Sequence, residues 1–137
     1  MKKILLIILI SFGIDCFGCN DTQENYVAFY KDWKQSKPNT FYLYVPRVKG
    51  EYVLGSIEIE YINSGATSLA VYAEMHDPSK YEENEWYKNY MAAVVKFNRE
   101  NIDNLRVQAH YRPKDKNKVL KCDNKIIFTS GNMHEKL

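Results

Sequence analysis

Tyr52-Val53-Leu54-Gly55-Ser56-Ile57-Glu58-Ile59-Glu60-Tyr61-Ile62 is the stretch on which the fold turns. Ile57, Ile59 and Tyr61 fall on one side of an extended chain and Glu58 and Glu60 on the other, the period of two that belongs to a half-buried strand. Gly55 breaks the side-chain pattern and marks a candidate bulge. Asn63-Ser64-Gly65 then reads as a turn, after which Leu69, Val71, Ala73 and Met75 resume the alternation.

Working outward, Thr40 to Val45 alternates, is rich in aromatic residues and stops at Pro46, as a strand does. Downstream, Leu105, Val107, Ala109 and Tyr111 alternate against Arg106, Gln108, His110 and Arg112. Lys125 to Thr129 reads as a last short strand, with a frayed end after Gly131. Met91 to Phe97 fits a strand paired across the polar loop 98–104 with 105–111. Val94, Val95 and Phe97 favour that assignment, whereas Ala92 and Ala93 favour a helix running on to about Arg99. Residues 21–36 read as an amphipathic helix: Asp21 and Glu24 have capping-box spacing, and Tyr26, Phe29, Tyr30 and Trp33 recur at helical intervals. Asp77-Pro78 is a helix start, opening a second helix to about Asn89.

The expectation is a mainly β domain, an antiparallel sheet or sandwich with an N-terminal helix and a second helix near 78–89. The alternative is an α+β layer with a longer second helix. The strand–Asn-Ser-Gly–strand run, some twenty residues long, resembles the central stretch of immunoglobulin-like sandwiches and implies that architecture.

The N-terminal residues carry an address. Lys2 and Lys3 form a positive region, Ile4 to Ile10 with Phe12 and Ile14 an apolar one, and small Gly18 precedes Cys19. The apolar run falls short of the ~20 residues that span a bilayer. Residues 1–18 are thus expected to be a signal peptide and residues 19–137 a single β-rich globular domain. Asp15-Cys16-Phe17-Gly18-Cys19 resembles the lipobox of bacterial lipoproteins, with Cys16 where leucine is usual. The resemblance implies lipidation of Cys19 as the mature N-terminus. Asn20, rather than aspartate, after that cysteine leans toward sorting to the outer membrane. The alternative is plain secretion into the periplasm or beyond, with Cys19 free to form a disulfide with Cys122.

The chain has 19 Lys and Arg against 17 Asp and Glu, and loss of Lys2, Lys3 and Asp15 brings the net charge to about +1. That balance offers no footprint for nucleic acid. All 11 tyrosines lie in the mature part, a density that suits a β-rich or interface-forming domain.

No catalytic constellation emerges from the residues. His76, His110 and His134 are the only histidines, and without an obvious carboxylate or thiolate partner they make a thin metal site. His76-Asp77 is read as a strand end and a helix cap, although His76 and His110 could meet on a sheet face. Glu58 and Glu60, about 7 Å apart on one strand face, have a spacing that carboxylate chemistry tolerates, yet they suit a solvated face. No cofactor is called for.

Two binding features remain. Arg112, Lys114, Lys116, Lys118, Lys121 and Lys125 form a basic stretch that could meet anionic head groups or an acidic partner. Tyr42 and Tyr44 share one strand face and could stack on a glycan or form a protein interface, while Trp86 is expected in the core. The leading expectation is therefore a small lipid-anchored cell-envelope protein, outer membrane favoured, acting without catalysis as a binding module. Its partner would be an envelope protein or a cell-wall component, and an inhibitor or immunity role falls within that class. The alternatives are a small exported hydrolase using Glu58, Glu60 or the histidines, and a soluble secreted protein with a Cys19–Cys122 disulfide.

Overall fold

The computed structural model describes residues 26–33, 37–62, 69–118 and 124–136. Ten strands run through them: β1 (Ala28–Asp32), β2 (Thr40–Pro46), β3 (Val48–Lys49), β4 (Tyr52–Tyr61), β5 (Leu69–Ala73), β6 (Met75–His76), β7 (Tyr90–Lys96), β8 (Leu105–Pro113), β9 (Asn124–Phe128) and β10 (Met133–Glu135). Three short 3₁₀ helices, Pro78–Lys80, Glu85–Asn89 and Arg99–Asn104, complete the set. The fold is mainly β.

One sheet has the order β10-β1-β2-β7-β6, and the other β3-β4-β8-β9 with β5 also paired to β4. Every pairing is antiparallel except β1 with β10. The alternation at 52–61 is realised as expected. Ile57 and Ile59 enter the core, and the β4–β8 register slips between Leu54 and Ser56 at Gly55, where a Cβ would lie 3.4 Å from the His110 carbonyl. Gly50, at φ +58°, makes the two-residue turn from β3 into β4 that a side chain would strain.

A single core lies between the sheets. Phe41, Leu43, Val45, Ala93 and Val95 come from the first, and Ile57, Ile59, Val107, Ala109, Ile126 and Phe128 from the second. Phe41 stacks on Phe97 with centroids 4.2 Å apart. Ile57 is fully buried there, and its replacement by alanine is expected to cost about 2–5 kcal/mol. The chain switches sheets twice across a single residue, at Arg47 between β2 and β3 and at Glu74 between β5 and β6.

Four expectations need correction. The helix over 21–36 is not formed in its described part: Ala28–Asp32 is a strand between β2 and β10, while 21–25 and 34–36 lie outside the described residues. Its aromatic residues serve both faces, with Tyr30 on the core and Phe29 on the opposite side, so two-sided burial imitates a helical stripe. The helix near 78–89 is two separate 3₁₀ turns. Asp77 caps the first, and Asn84, extended at φ −70° and ψ 127°, accepts from the Trp86 amide and starts the second. This removes the α+β alternative, since Tyr90–Lys96 is a strand paired along its whole length with β2. The loop 98–104 contains a 3₁₀ helix capped by Asn98. Beyond Gly131 the chain is ordered by pairing: Met133 is buried opposite Ala28, and the Lys136 amide donates to the Tyr30 carbonyl at 2.8 Å.

Candidate functional site

Tyr42 and Tyr44 do point the same way, out of the first sheet, with ring centroids 6.0 Å apart. Their surroundings differ. The Glu85–Asn89 turn folds over Tyr44, and Trp86 and Tyr87 meet it edge-on, each at 5.5 Å. Tyr44 is left 2 % exposed, and burial, with Tyr87 beside it, drives its phenol well above the ordinary tyrosine range. Tyr44 is therefore packing, and Tyr42, half-buried beside Trp33, keeps part of its ring in solvent. Trp86 stacks on Tyr90 at 4.2 Å, meets Phe29 at 5.4 Å and carries the Lys136 ammonium 4.5 Å over its ring.

Beside this aromatic layer an open cleft of about 480 Å³ runs between the start of β1, the β2–β3 corner and the start of β7. Tyr26, Phe29 and Tyr90 supply aromatic walls, Arg47 and Lys88 cations, and Val48 lies on the lining with much of its side chain in solvent. Arg47 is held in place by its partners. Its Nη2 donates to Asp77 Oδ1 at 2.6 Å and to the Tyr90 carbonyl at 3.0 Å, and its Nη1 to Asp77 Oδ2 at 3.3 Å. Its Nε is buried without a hydrogen-bond acceptor among the described residues. The Arg47 guanidinium, joined by the Ser79 hydroxyl and amide, holds the Asp77 carboxyl far below the usual carboxylate range. Lys88 is tied to Glu85 at 2.7 Å on the exposed rim.

The basic stretch reaches the same end of the domain. Arg112 is at the end of β8, and Lys114, Lys116 and Lys118 follow in an exposed turn. The Lys114 amide donates to the Glu51 carbonyl at 3.0 Å, and Lys118 lies 3.5 Å from the Glu51 carboxylate. The end of β2, the turn from β3 into β4 and the segment after β8 therefore converge there. Lys121 and the three cysteines, Cys16, Cys19 and Cys122, lie outside the described residues.

The residues weighed for catalysis are held in cross-strand pairs on the outer face of the second sheet. Glu60 accepts from Arg106 at 3.4 Å and Gln108 at 3.3 Å, and Glu58 is 3.3 Å from His110 Nε2. His76 does not meet His110. Register places His76 opposite Ala92 on the outside of the first sheet, the other side of the core from His110. Among the described residues no group of three or more His, Cys, Asp or Glu could hold a metal, and no helix is long and apolar enough to cross a membrane.

Arg47 and Lys88 were not singled out by sequence reasoning. The available signal was Arg47 itself, a charged residue directly after the proline that ends a strand. No protein-family model, curated protein or solved structure matches this chain.

Proposed function

We propose that this protein is a bacterial lipoprotein whose domain, an immunoglobulin-like sandwich, binds an acidic segment of an envelope protein at its loop end and catalyses no reaction. The order β1-β2-β7-β6 follows the A-B-E-D sheet of such sandwiches, and β5-β4-β8-β9 follows C′-C-F-G, with β3 and β10 added. In variable immunoglobulin domains the loops at one end of the sandwich form the recognition surface.

The observation that carries the binding reading is the cleft itself, where three aromatic side chains and two cations converge. Rings of this kind give contact area at small entropic cost; Arg47 and Lys88 are already paired with Asp77 and Glu85, and the exposed Lys114 and Lys116 at the same end supply the cations that match carboxylates. Tyr26 lies on its wall, so a chain acylated at Cys19 leaves from the site's own rim. Seven residue steps span at most about 25 Å, which keeps the cleft close to the bilayer and favours a membrane-adjacent protein over the cell wall.

Two measurements test this. The intact mass of the protein matured from its own leader in a Gram-negative host should equal residues 19–137 plus acyl groups. An unacylated chain two hydrogens lighter than its reduced form would mean a Cys19–Cys122 disulfide and remove the anchor. Separately, envelope extract is passed over the wild-type lipoprotein and over Val48→Trp, which fills the cleft without removing packing. One stoichiometric protein held by the wild type and lost by Val48→Trp is the expected result. Retention of cell-wall sacculi instead would reassign the ligand, and equal retention by both proteins would clear the cleft of any role.

A further inference from the structure

Strand β5 is Leu69-Ala70-Val71-Tyr72-Ala73, five residues with no charge, proline or glycine. Among the described residues it pairs with β4 on one side only, from Ile57 opposite Ala73 to Tyr61 opposite Leu69. That register puts Leu69, Val71 and Ala73 on the core-facing side with Ile57 and Ile59. Ala73 packs against the core, but Leu69 is 63 % exposed and Val71 48 %. The cause is the facing sheet, which on this side ends in the two-residue strand β6. On the outer side Tyr72 is 71 % exposed. Edge strands are ordinarily blunted by lysine, proline, a bulge or an inward charge, and β5 has none of these.

We propose that the β5 edge pairs with the β5 edge of a second copy of this chain, antiparallel about a twofold axis through Val71. The strand suits itself. Symmetry sets Val71 against Val71, Leu69 against Ala73 and Ala70 against Tyr72, so large side chains meet small ones and no like charges meet. The core-facing row becomes Leu69, Val71 and Ala73 from each copy, an apolar layer continuous with the one Ala73 already closes. The four-stranded run β5-β4-β8-β9 becomes eight strands with both β5 edges paired. The contact is one strand wide, so the dimer is weak in solution. Confinement of two anchored copies to one membrane raises their effective concentration and favours it. The pairing itself does not depend on the anchor.

The test uses the full chain, expressed with its own leader and carrying Cys122→Ser. Val71→Cys is treated with oxidant or a short bis-maleimide in intact membranes. Because opposite residues sit about 4.5–5.5 Å apart at Cβ, a cross-linked dimer is expected on a non-reducing gel, above the background of the Cys122→Ser parent. Ala70→Cys and Tyr72→Cys should link when co-expressed, whereas Lys114→Cys should not. Val71→Lys should abolish the link between Ala70→Cys and Tyr72→Cys copies in the same membranes; if that variant fails to accumulate, the cysteine pairs carry the result. A Val71→Cys product whose mass is not twice the chain would show a foreign strand on the edge and overturn the second-copy occupant. Absence of any product from both cysteine tests would overturn the pairing.

Discussion

Arg47 and Asp77 lie thirty residues apart in sequence and are joined by two hydrogen bonds at 2.6 and 3.3 Å, where β2 leaves the first sheet and where the chain departs from β6. Asp77 also caps the Pro78–Lys80 turn, so one carboxylate fixes both the corner and the segment that leads to the aromatic lid. Asp77→Asn keeps the cap acceptor and loses the charged pair, for an expected cost of about 1–3 kcal/mol in chemical denaturation. The dependence on pH has a definite sign. A carboxylate held below its unfolded value contributes stability above about pH 4, the unfolded pKa, and loses it as pH falls toward the folded pKa. The gap between wild type and Asp77→Asn should therefore be constant from pH 5 upward and narrow below pH 4. A gap that widened in acid would exclude the pair as its source.

Tyr111 joins the sheets from within the core. It is buried on the second sheet and donates its hydroxyl to the Pro46 carbonyl of the first at 2.8 Å, one residue before the Arg47 corner. Tyr111→Phe should cost about 1 kcal/mol, the net worth of one hydrogen bond. Burial pushes the Tyr111 and Tyr44 phenols well above the usual tyrosine value. A raised pKa on an acid that is neutral when protonated contributes stability that is present below pH 10 and disappears as pH rises. In an absorbance titration, two of the tyrosines should ionise only as the chain unfolds, and Tyr111→Phe should leave one.

Trp86 closes the aromatic layer over Tyr44 and Phe29. Trp86→Ala should destabilise the domain by about 2–4 kcal/mol, less than the ~3–5 kcal/mol of a large aromatic side chain deleted from a core, because Trp86 itself is only half-buried. The same variant should bring Tyr44 back toward ordinary titration. Loss of stability with Tyr44 still silent would mean that the β2 register, rather than the lid, hides it.

The strands with one buried face were legible in the sequence because their chemistry alternates: Ile57 against Glu58, Val107 against Gln108. Phe29 and Tyr30 were not, since adjacent aromatic residues that pack on opposite faces carry the same apolar label as a helical stripe. Residues 78–89 misled for a related reason. Asp77 is a cap, as its place before Pro78 implies, but Asn84 is a second one, and a chain that caps twice in seven residues cannot hold a long helix. Strand β10 is three residues whose only signal is a parallel partner at the other end of the chain. Tyr42 and Tyr44 were rightly placed on one face, yet which of them stays in solvent depends on Trp86. The cleft was illegible because Tyr26, Arg47 and Lys88 meet only through the topology.

Glu60 separates a binding protein from a hydrolase. Its carboxylate faces the Arg106 guanidinium and the Gln108 amide across the β4–β8 ladder, seven residues along β4 from Val53, the partner of Val48 in the cleft lining. If those contacts are its role, Glu60→Gln exchanges a charged acceptor for a neutral one of the same shape. The half-exposed Arg106 can turn to solvent, so the cost should stay below about 1 kcal/mol. Envelope-protein retention by Glu60→Gln should match the wild type, whereas Val48→Trp loses it. A Glu60→Gln chain that folds with wild-type stability but abolishes an activity on envelope substrates would reverse the assignment and make the sheet face, with His110 and Glu58 beside it, the functional surface.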